Sequence, residues 1–331
     1  MFYLSSRGST ATGWIANNLS LHPKIICFIS SRTFPPVKPG ESFPIHPWVK
    51  EILADKYIES LNLSEEACYK NKVFGSIHGY HGILAKSACE KLGGFFGYIT
   101  RHPLERVHSC FIYDLYNMYY KKKSEVKNEE IFGRVKTLLN REKDFNINKV
   151  IKTKRPFLEG NSFKTFIYKK LSKNYPKIIE IYKNYQIKKK QEKIKFEIDN
   201  DYEESVLFVD HFNKLCKDFF SKDRILFDNC NNEIQGIKME ELIRSTEYFK
   251  KNLLLKIISE DDISNNYLNL ISELRNKRIG VHRNEPIKSD QIWNEMPKVL
   301  KEIFLNNYDR FNIKEITSFF DYKINIWISK W

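Results

Sequence analysis

Residues 98–111 read YITRHPLERVHSCF. The stretch predicts a buried strand that closes on Arg101, a short turn at His102-Pro103, and a helix started by Pro103, whose fixed φ and missing N–H suit a first helical position. Ser109 then lies about two turns into that helix. An arginine at the carboxyl end of a strand and a hydroxyl on the next helix can face one anion, because parallel sheets bind ligands along that edge. A phosphate is the expected anion. A surface arginine beside a proline-started helix is the plain alternative.

Outward from this stretch, Gly93-Gly94 end a helix over residues 82–92 and lead into a fourth strand at 95–100. Residues 72–77 (KVFGSI) read as a third strand. Residues 31–47, rich in Pro and Gly, read as a long loop over the strand edge, ahead of a helical pattern from 48 to about 62. The chain opens strand, loop, helix, strand: FYLSS, then RGSTATG at 7–13, a helix from Trp14 to about Leu21, and KIICFIS. The unbroken apolar run of KIICFIS suits a strand covered on both faces.

The first loop carries chemistry. Gly8 and Gly13 relax the backbone while Ser9, Thr10 and Thr12 add hydroxyls, so successive N–H groups at a helix N-terminus can surround a phosphate. The spacing of Gly8 and Gly13 matches a Walker A frame, but Trp14 stands where its lysine belongs and Ile15 where its magnesium-binding hydroxyl belongs. Such a loop is poorly suited to moving the γ-phosphate of ATP. After the third strand comes His78-Gly79-Tyr80-His81-Gly82. A histidine there can take a proton near neutral pH, although a histidine near a strand end is more often a hydrogen-bonded structural residue.

The rest of the chain bounds these readings. A length of 331 residues allows one elaborated α/β domain or two smaller ones. No run of about eighteen apolar residues predicts a membrane-crossing helix. No basic n-region or cleavage site precedes Phe2–Leu4, so no signal peptide is expected. Cys27, Cys68, Cys89, Cys110, Cys216 and Cys230 form no CxxC, which argues against a zinc site and a dense disulfide framework; a reducing cytoplasm is the expected compartment. The formal charge of +14 is concentrated in residues 121–195 without a nucleic-acid-binding frame, and reads as a solvated helical face.

Residues from 115 to about 220 predict a Lys-rich helical excursion, whose aromatics (Phe157, Phe163, Phe166, Tyr168, Phe208, Phe212) are expected to pack rather than recognise. Arg224–Phe227 and 233–238 predict a return to strands, with a helix from Met239. The organisation expected is a core over 1–115, a helical insertion over 116–222 that could cap an acceptor, and completion of the core with C-terminal helices over 223–331.

Together these motifs resemble the sulfotransferases that use 3′-phosphoadenosine 5′-phosphosulfate (PAPS) as sulfuryl donor. Arg101, His102, Pro103 and Ser109 fit the family's 3′-phosphate segment. Arg7, Gly8, Ser9 and Thr10 give one register of its 5′-phosphosulfate loop, and a second places the tight turn at Ala11, Thr12 and Gly13. LSLHP at 19–23 is similar to the glycan-modifying branch. His78, twenty-three residues before Arg101, falls near the family's catalytic histidine, with His81 and Glu41 in reserve. IQGIKMEELIRSTEYFKKNL is similar to its late strand and helix, and Arg278, Gly280 and Arg283 match its basic C-terminal segment, without the common Gly-Asp-Trp-Lys wording.

The resemblance implies a P-loop-like three-layer sandwich, a mainly parallel sheet flanked by helices. It also implies in-line sulfuryl transfer from PAPS, leaving adenosine 3′,5′-bisphosphate, with no metal required. His78 would be the base and Arg7 with loop amides would stabilise charge. The acceptor would be a hydroxyl or amine on a small molecule or glycan; no nucleic-acid partner and no membrane span are expected. Two other readings stand beside it: a P-loop kinase, and a non-catalytic polyanion or nucleic-acid binder using the 121–195 lysines.

Overall fold

In the computed structural model the described residues are 2–6, 11–29, 73–77, 86, 89–90, 93–120, 160–190, 200–230, 234–276, 289–322 and 324. They form an α/β protein, mostly helical, with one small parallel sheet. Its strands are β1 (Phe2–Ser5), β2 (Ile25–Ile29), β3 (Val73–Ile77), β4 (Phe95–Thr100) and β5 (Gly236–Lys238), in the order β2-β3-β1-β4-β5. All four pairings are parallel. The helices are α1 (Thr12–Ser20), α2 (Pro103–Tyr120), α3 (Gly160–Ser172), α4 (Tyr175–Lys190), α5 (Asn200–Asn229), α6 (Met239–Arg244), α7 (Thr246–Phe249), α8 (Leu255–Ile257), α9 (Asn265–Asn276), α10 (Ser289–Glu295), α11 (Lys298–Arg310) and α12 (Ile313–Phe319). A π-helical turn, Lys250–Leu254, joins α7 to α8.

The chain divides into two compact units, Met1–Arg101 with Ile225–Val281, and His102–Arg224 with His282–Trp331. The first crossing therefore falls between Arg101 and His102 rather than at 115. The C-terminal helices group with residues of the expected insertion rather than with the sheet.

In the first unit, strand alternation sorts the side chains. Phe2 and Leu4 of β1, Ile25 and Cys27 of β2, Ile77, Ile99 and Ile237 share one core with Trp14, Ile15 and Leu19 of α1 and with Leu242, Phe249, Leu253 and Tyr267. Tyr3, Ser5, Tyr98 and Thr100, at the alternate positions, are buried as well. A central strand buried on both alternations suits a parallel sheet covered on its two faces. Gly75 of β3 sits opposite Phe2, and a Cβ there would overlap the Phe2 carbonyl oxygen and ring. Only glycine lets β1 and β3 approach this closely.

In the second unit, α5 is buried without a break from Glu204 to Asn213. A helix buried all round is central to its bundle. Within that stretch Glu204 pairs with Lys170 at 2.5 Å, Asp210 with Gln186 at 2.6 Å and Lys189 at 2.9 Å, His211 with Asp114 at 3.3 Å, and Asn213 with Tyr182 at 2.7 Å and Asn307 at 2.8 Å. Phe163, Tyr168, Phe208 and Phe212 are packed inside this unit. Phe166 is half-buried, and Phe157 lies outside the described residues.

One expectation is overturned. Arg224–Phe227 is not a strand but the last turns of α5. Leu226 and Phe227 continue the buried spacing of Phe219, Phe220 and Asp223, so a three-residue apolar run that reads as a strand in isolation is the end of a long amphipathic helix. Among the described residues the return to the sheet is Gly236–Lys238.

Candidate functional site

Order and direction of the strands select one place in the first unit. β1 lies between β3 and β4; the chain leaving β1 goes to β2 on one side, and the chain leaving β4 goes to β5 on the other. The carboxyl ends of β1 and β4 therefore flank the point where the winding reverses, which is where open parallel sheets hold ligands. Ser5 is in register with Tyr98, so Arg101 lies three residues beyond the partner of Ser5, about 10 Å further along the strand direction.

On the β1 side, Ala11 has φ 53°, in the left-handed region, and α1 begins at the next residue. The first bond of the helix runs from the Ile15 N–H to the Ala11 carbonyl at 3.0 Å. The N–H groups of Thr12, Gly13 and Trp14 precede that bond and have no acceptor within the helix, so the positive end of the helix dipole and three donors face outward. This is the composition of an anion cradle. Gly13 has open space around its Cβ position and no positive φ, so neither crowding nor backbone demands glycine there. The residue that turns the chain is Ala11.

α1 is held firmly. Trp14, Ile15 and Leu19 are buried, and the Trp14 ring meets Phe249 edge-on at 5.9 Å. The Tyr267 hydroxyl donates to the Asn18 carbonyl at 2.8 Å. His22, from the LSLHP stretch, accepts the Lys24 N–H on Nδ1 at 3.2 Å, which leaves Nε2 to donate to the Asp262 carbonyl at 2.9 Å. Lys24 also binds the Asp262 carboxylate at 2.5 Å. Hydrogen bonds from Lys24 and Ser259 hold that carboxyl below its ordinary pKa. His22 is thus a tie between the α1–β2 turn and the 3-10 turn Glu260–Asp262.

On the β4 side, the Thr100 hydroxyl donates to the Ile237 carbonyl at 3.3 Å, and half-buried Arg101 follows as the last residue of its segment in the first unit. Ser109 belongs to the second unit, half-buried on α2. There, His102 is buried with its ring edge-on to Tyr322 at 5.9 Å, and Pro103 opens α2. The quoted stretch also holds one member of a pair that spacing alone does not reveal. Arg106 and Asp223, both buried and 117 positions apart, form an ion pair, with the guanidinium 5.0 Å over the Phe219 ring.

Arg7, Gly8, Ser9, Thr10, His78, His81, Glu41, Arg278, Gly280 and Arg283 lie outside the described residues. Ala11, Thr12 and Arg101 are brought to the carboxyl edge of neighbouring strands in one unit, whereas Arg101 and Ser109 fall in different units. Among the described residues no group of His, Cys, Asp and Glu is placed to hold a metal ion. Burial pushes the Cys89 thiol up to about 12 and raises Cys27 and Cys216 further, so these three are poor nucleophiles. Compared with known proteins, the chain matches no family model, no curated protein and no solved structure.

Proposed function

We propose that this protein is a PAPS-dependent sulfotransferase whose donor lies across the carboxyl ends of β1 and β4. One observation carries the reading: a helix N-terminus after β1 and an arginine after β4 sit on adjacent parallel strands at the winding reversal. A donor with a 5′-phosphosulfate and a 3′-phosphate needs two anion sites at one edge. The all-parallel pairing and the reversal beside β1 support the P-loop-like sandwich form of the sheet.

Thr12, Gly13 and Trp14 amides, with Arg7, Gly8, Ser9 and Thr10 of the loop, would take the 5′ end of the donor, and Arg101 the 3′-phosphate. Arg278 and Gly280 would complete the 3′ contacts as the resemblance implies. The acceptor hydroxyl gives its proton to His78 and attacks sulfur. The bond from sulfur to the bridging oxygen breaks, and adenosine 3′,5′-bisphosphate leaves with that electron pair, its charge met by Arg7 and the helix amides.

Calorimetry with adenosine 3′,5′-bisphosphate tests the site. Arg101→Ala removes a charge-assisted contact of about 1.5–3 kcal/mol, so affinity should fall roughly 10- to 150-fold. An unchanged affinity, or no binding to the wild type, removes the donor assignment.

A further inference from the structure

Residues 160–190 carry nine lysines, no arginine and a single acid, Glu180. α3 and α4 fill this stretch, joined at Lys173-Asn174 with Asn174 in the left-handed region at φ 54°. Three of the lysines turn inward, Lys164 to Glu295 and Lys170 to Glu204 at 2.5 Å each, and Lys189 to Asp210 at 2.9 Å. They serve the packing of the unit. Lys189 stays exposed beside its partner, and other exposed positions have no such tie to the bundle. They include Lys169 on α3, Lys173 in the joint that follows it, and on α4 Lys177, Glu180, Lys183 and Ile187, which share one helical face. The only acid among them, Glu180, lies 3.6 Å from Lys177.

Ile187 is 56% exposed, more than any other large apolar side chain among the described residues. It stands one turn after Lys183 and immediately before Lys188-Lys189-Lys190. A single exposed isoleucine is ordinary; one that follows the exposed Lys183 by a turn gives the face an apolar contact beside its cations. Base readout would be served by arginine forks and stacking by exposed aromatic rings, and the exposed positions of α3 and α4 have neither; a phosphate backbone alone would use the lysines but not Ile187. Tyr175 is half-buried, with its hydroxyl bonded to Glu302 and Lys298 over its ring. An anionic bilayer uses both features at once, because lysine ammonium groups meet lipid phosphates and carboxylates while an apolar side chain enters the headgroup boundary.

We propose that the exposed face of α3 and α4 is a docking surface for an anionic lipid bilayer. Docking there is peripheral: no helix among the described residues is long and apolar enough to cross a membrane. It also needs no donor nucleotide, so it is measured independently of the donor site.

Vesicle sedimentation of the full chain tests it, with phosphatidylcholine vesicles compared with vesicles holding about one-third phosphatidylserine. Binding is expected only to the anionic vesicles, and to weaken as salt rises. Each lysine at such a surface is worth about fivefold in partitioning, so Lys169→Glu/Lys183→Glu should reduce binding at least about 25-fold, and the neutralising Lys169→Gln/Lys183→Gln by less. Ile187→Ser should reduce it about tenfold. Lys251→Glu/Lys256→Glu, the same charge change at exposed lysines of the first unit, should alter it less than threefold. Unchanged circular dichroism of each variant shows that folding is retained. The proposal is overturned by equal loss in the two Glu pairs, which would make the whole-chain charge of +14 the cause. Equal binding to neutral vesicles, or binding to duplex DNA or a sulfated polysaccharide but to neither vesicle, also overturns it.

Discussion

The two units of this protein differ in where they place charge. In the first, strand side chains form an apolar core, and the N–H groups of Thr12, Gly13 and Trp14, which have no acceptor within α1, lie beyond β1. In the second, charge is taken inside the bundle and spent there, on Arg106–Asp223, Lys164–Glu295 and the contacts of Asp210 and Asn213 along α5. Polar groups satisfied within a fold fix its packing; donors left at a sheet edge are available to a ligand. A mutation series can separate the two.

The largest effect is expected at Arg106. Arg106→Ala leaves Asp223 as an uncompensated buried charge and should cost about 3–5 kcal/mol, read from the denaturant midpoint, with little direct effect on nucleotide affinity. Arg101→Ala should do the reverse, weakening adenosine 3′,5′-bisphosphate binding while moving the midpoint by less than about 1 kcal/mol. If both substitutions destabilise alike, the contrast between the units is lost. Gly75→Ala comes next, at about 1–3 kcal/mol, because its new methyl overlaps Phe2 and must push β1 from β3. Its secondary effect, loss of nucleotide affinity through displacement of β1, sharpens the link between sheet geometry and the site.

Two smaller effects probe each unit separately. Ala11→Gly relieves a left-handed alanine but adds chain entropy, and should raise stability by only about 0.5–1 kcal/mol, seen as a small rise in Tm. In the second unit, burial pushes the Glu295 carboxyl up, but hydrogen bonds from Lys164 and Gln291 and the Lys164 charge outweigh it and hold its pKa below the ordinary value. A lowered carboxyl contributes stability that is present above its unfolded pKa and is lost as pH falls through the folded one. Glu295→Gln should therefore lower the melting temperature at neutral pH, and the difference from wild type should close in acid. A gap that persists below the carboxylate range would assign the effect to packing.

Much of this contrast is legible in the sequence, but unevenly. β1, β2, β3 and β4 are apolar runs bounded by Gly, Pro or hydroxyl-rich turns, and Pro103 marks the start of α2 because its ring suits only a first turn. The left-handed residue before α1 falls in the second register, with its tight turn at Ala11, Thr12 and Gly13; within it glycine at 13 is the obvious carrier of such a φ, yet Ala11 takes it. Arg224–Phe227 misleads because three apolar residues have no measurable period until the thirty-residue helix containing them is known. Arg106 and Asp223 are invisible as a pair because spacing reports local geometry, and their partnership is set by bundle packing. For the same reason Arg101 and Ser109, neighbours in a motif, fall in different units.

The most direct test is a titration of isotope-labelled protein with adenosine 3′,5′-bisphosphate, following backbone amides. The account predicts that Thr12, Gly13 and Trp14 shift together with Arg101, along one binding curve, while the α5 amides from Glu204 to Asn213 stay in place. Shifts confined to the α1 terminus or to Arg101 alone, or none at either, would contradict a shared nucleotide site at the β1–β4 edge.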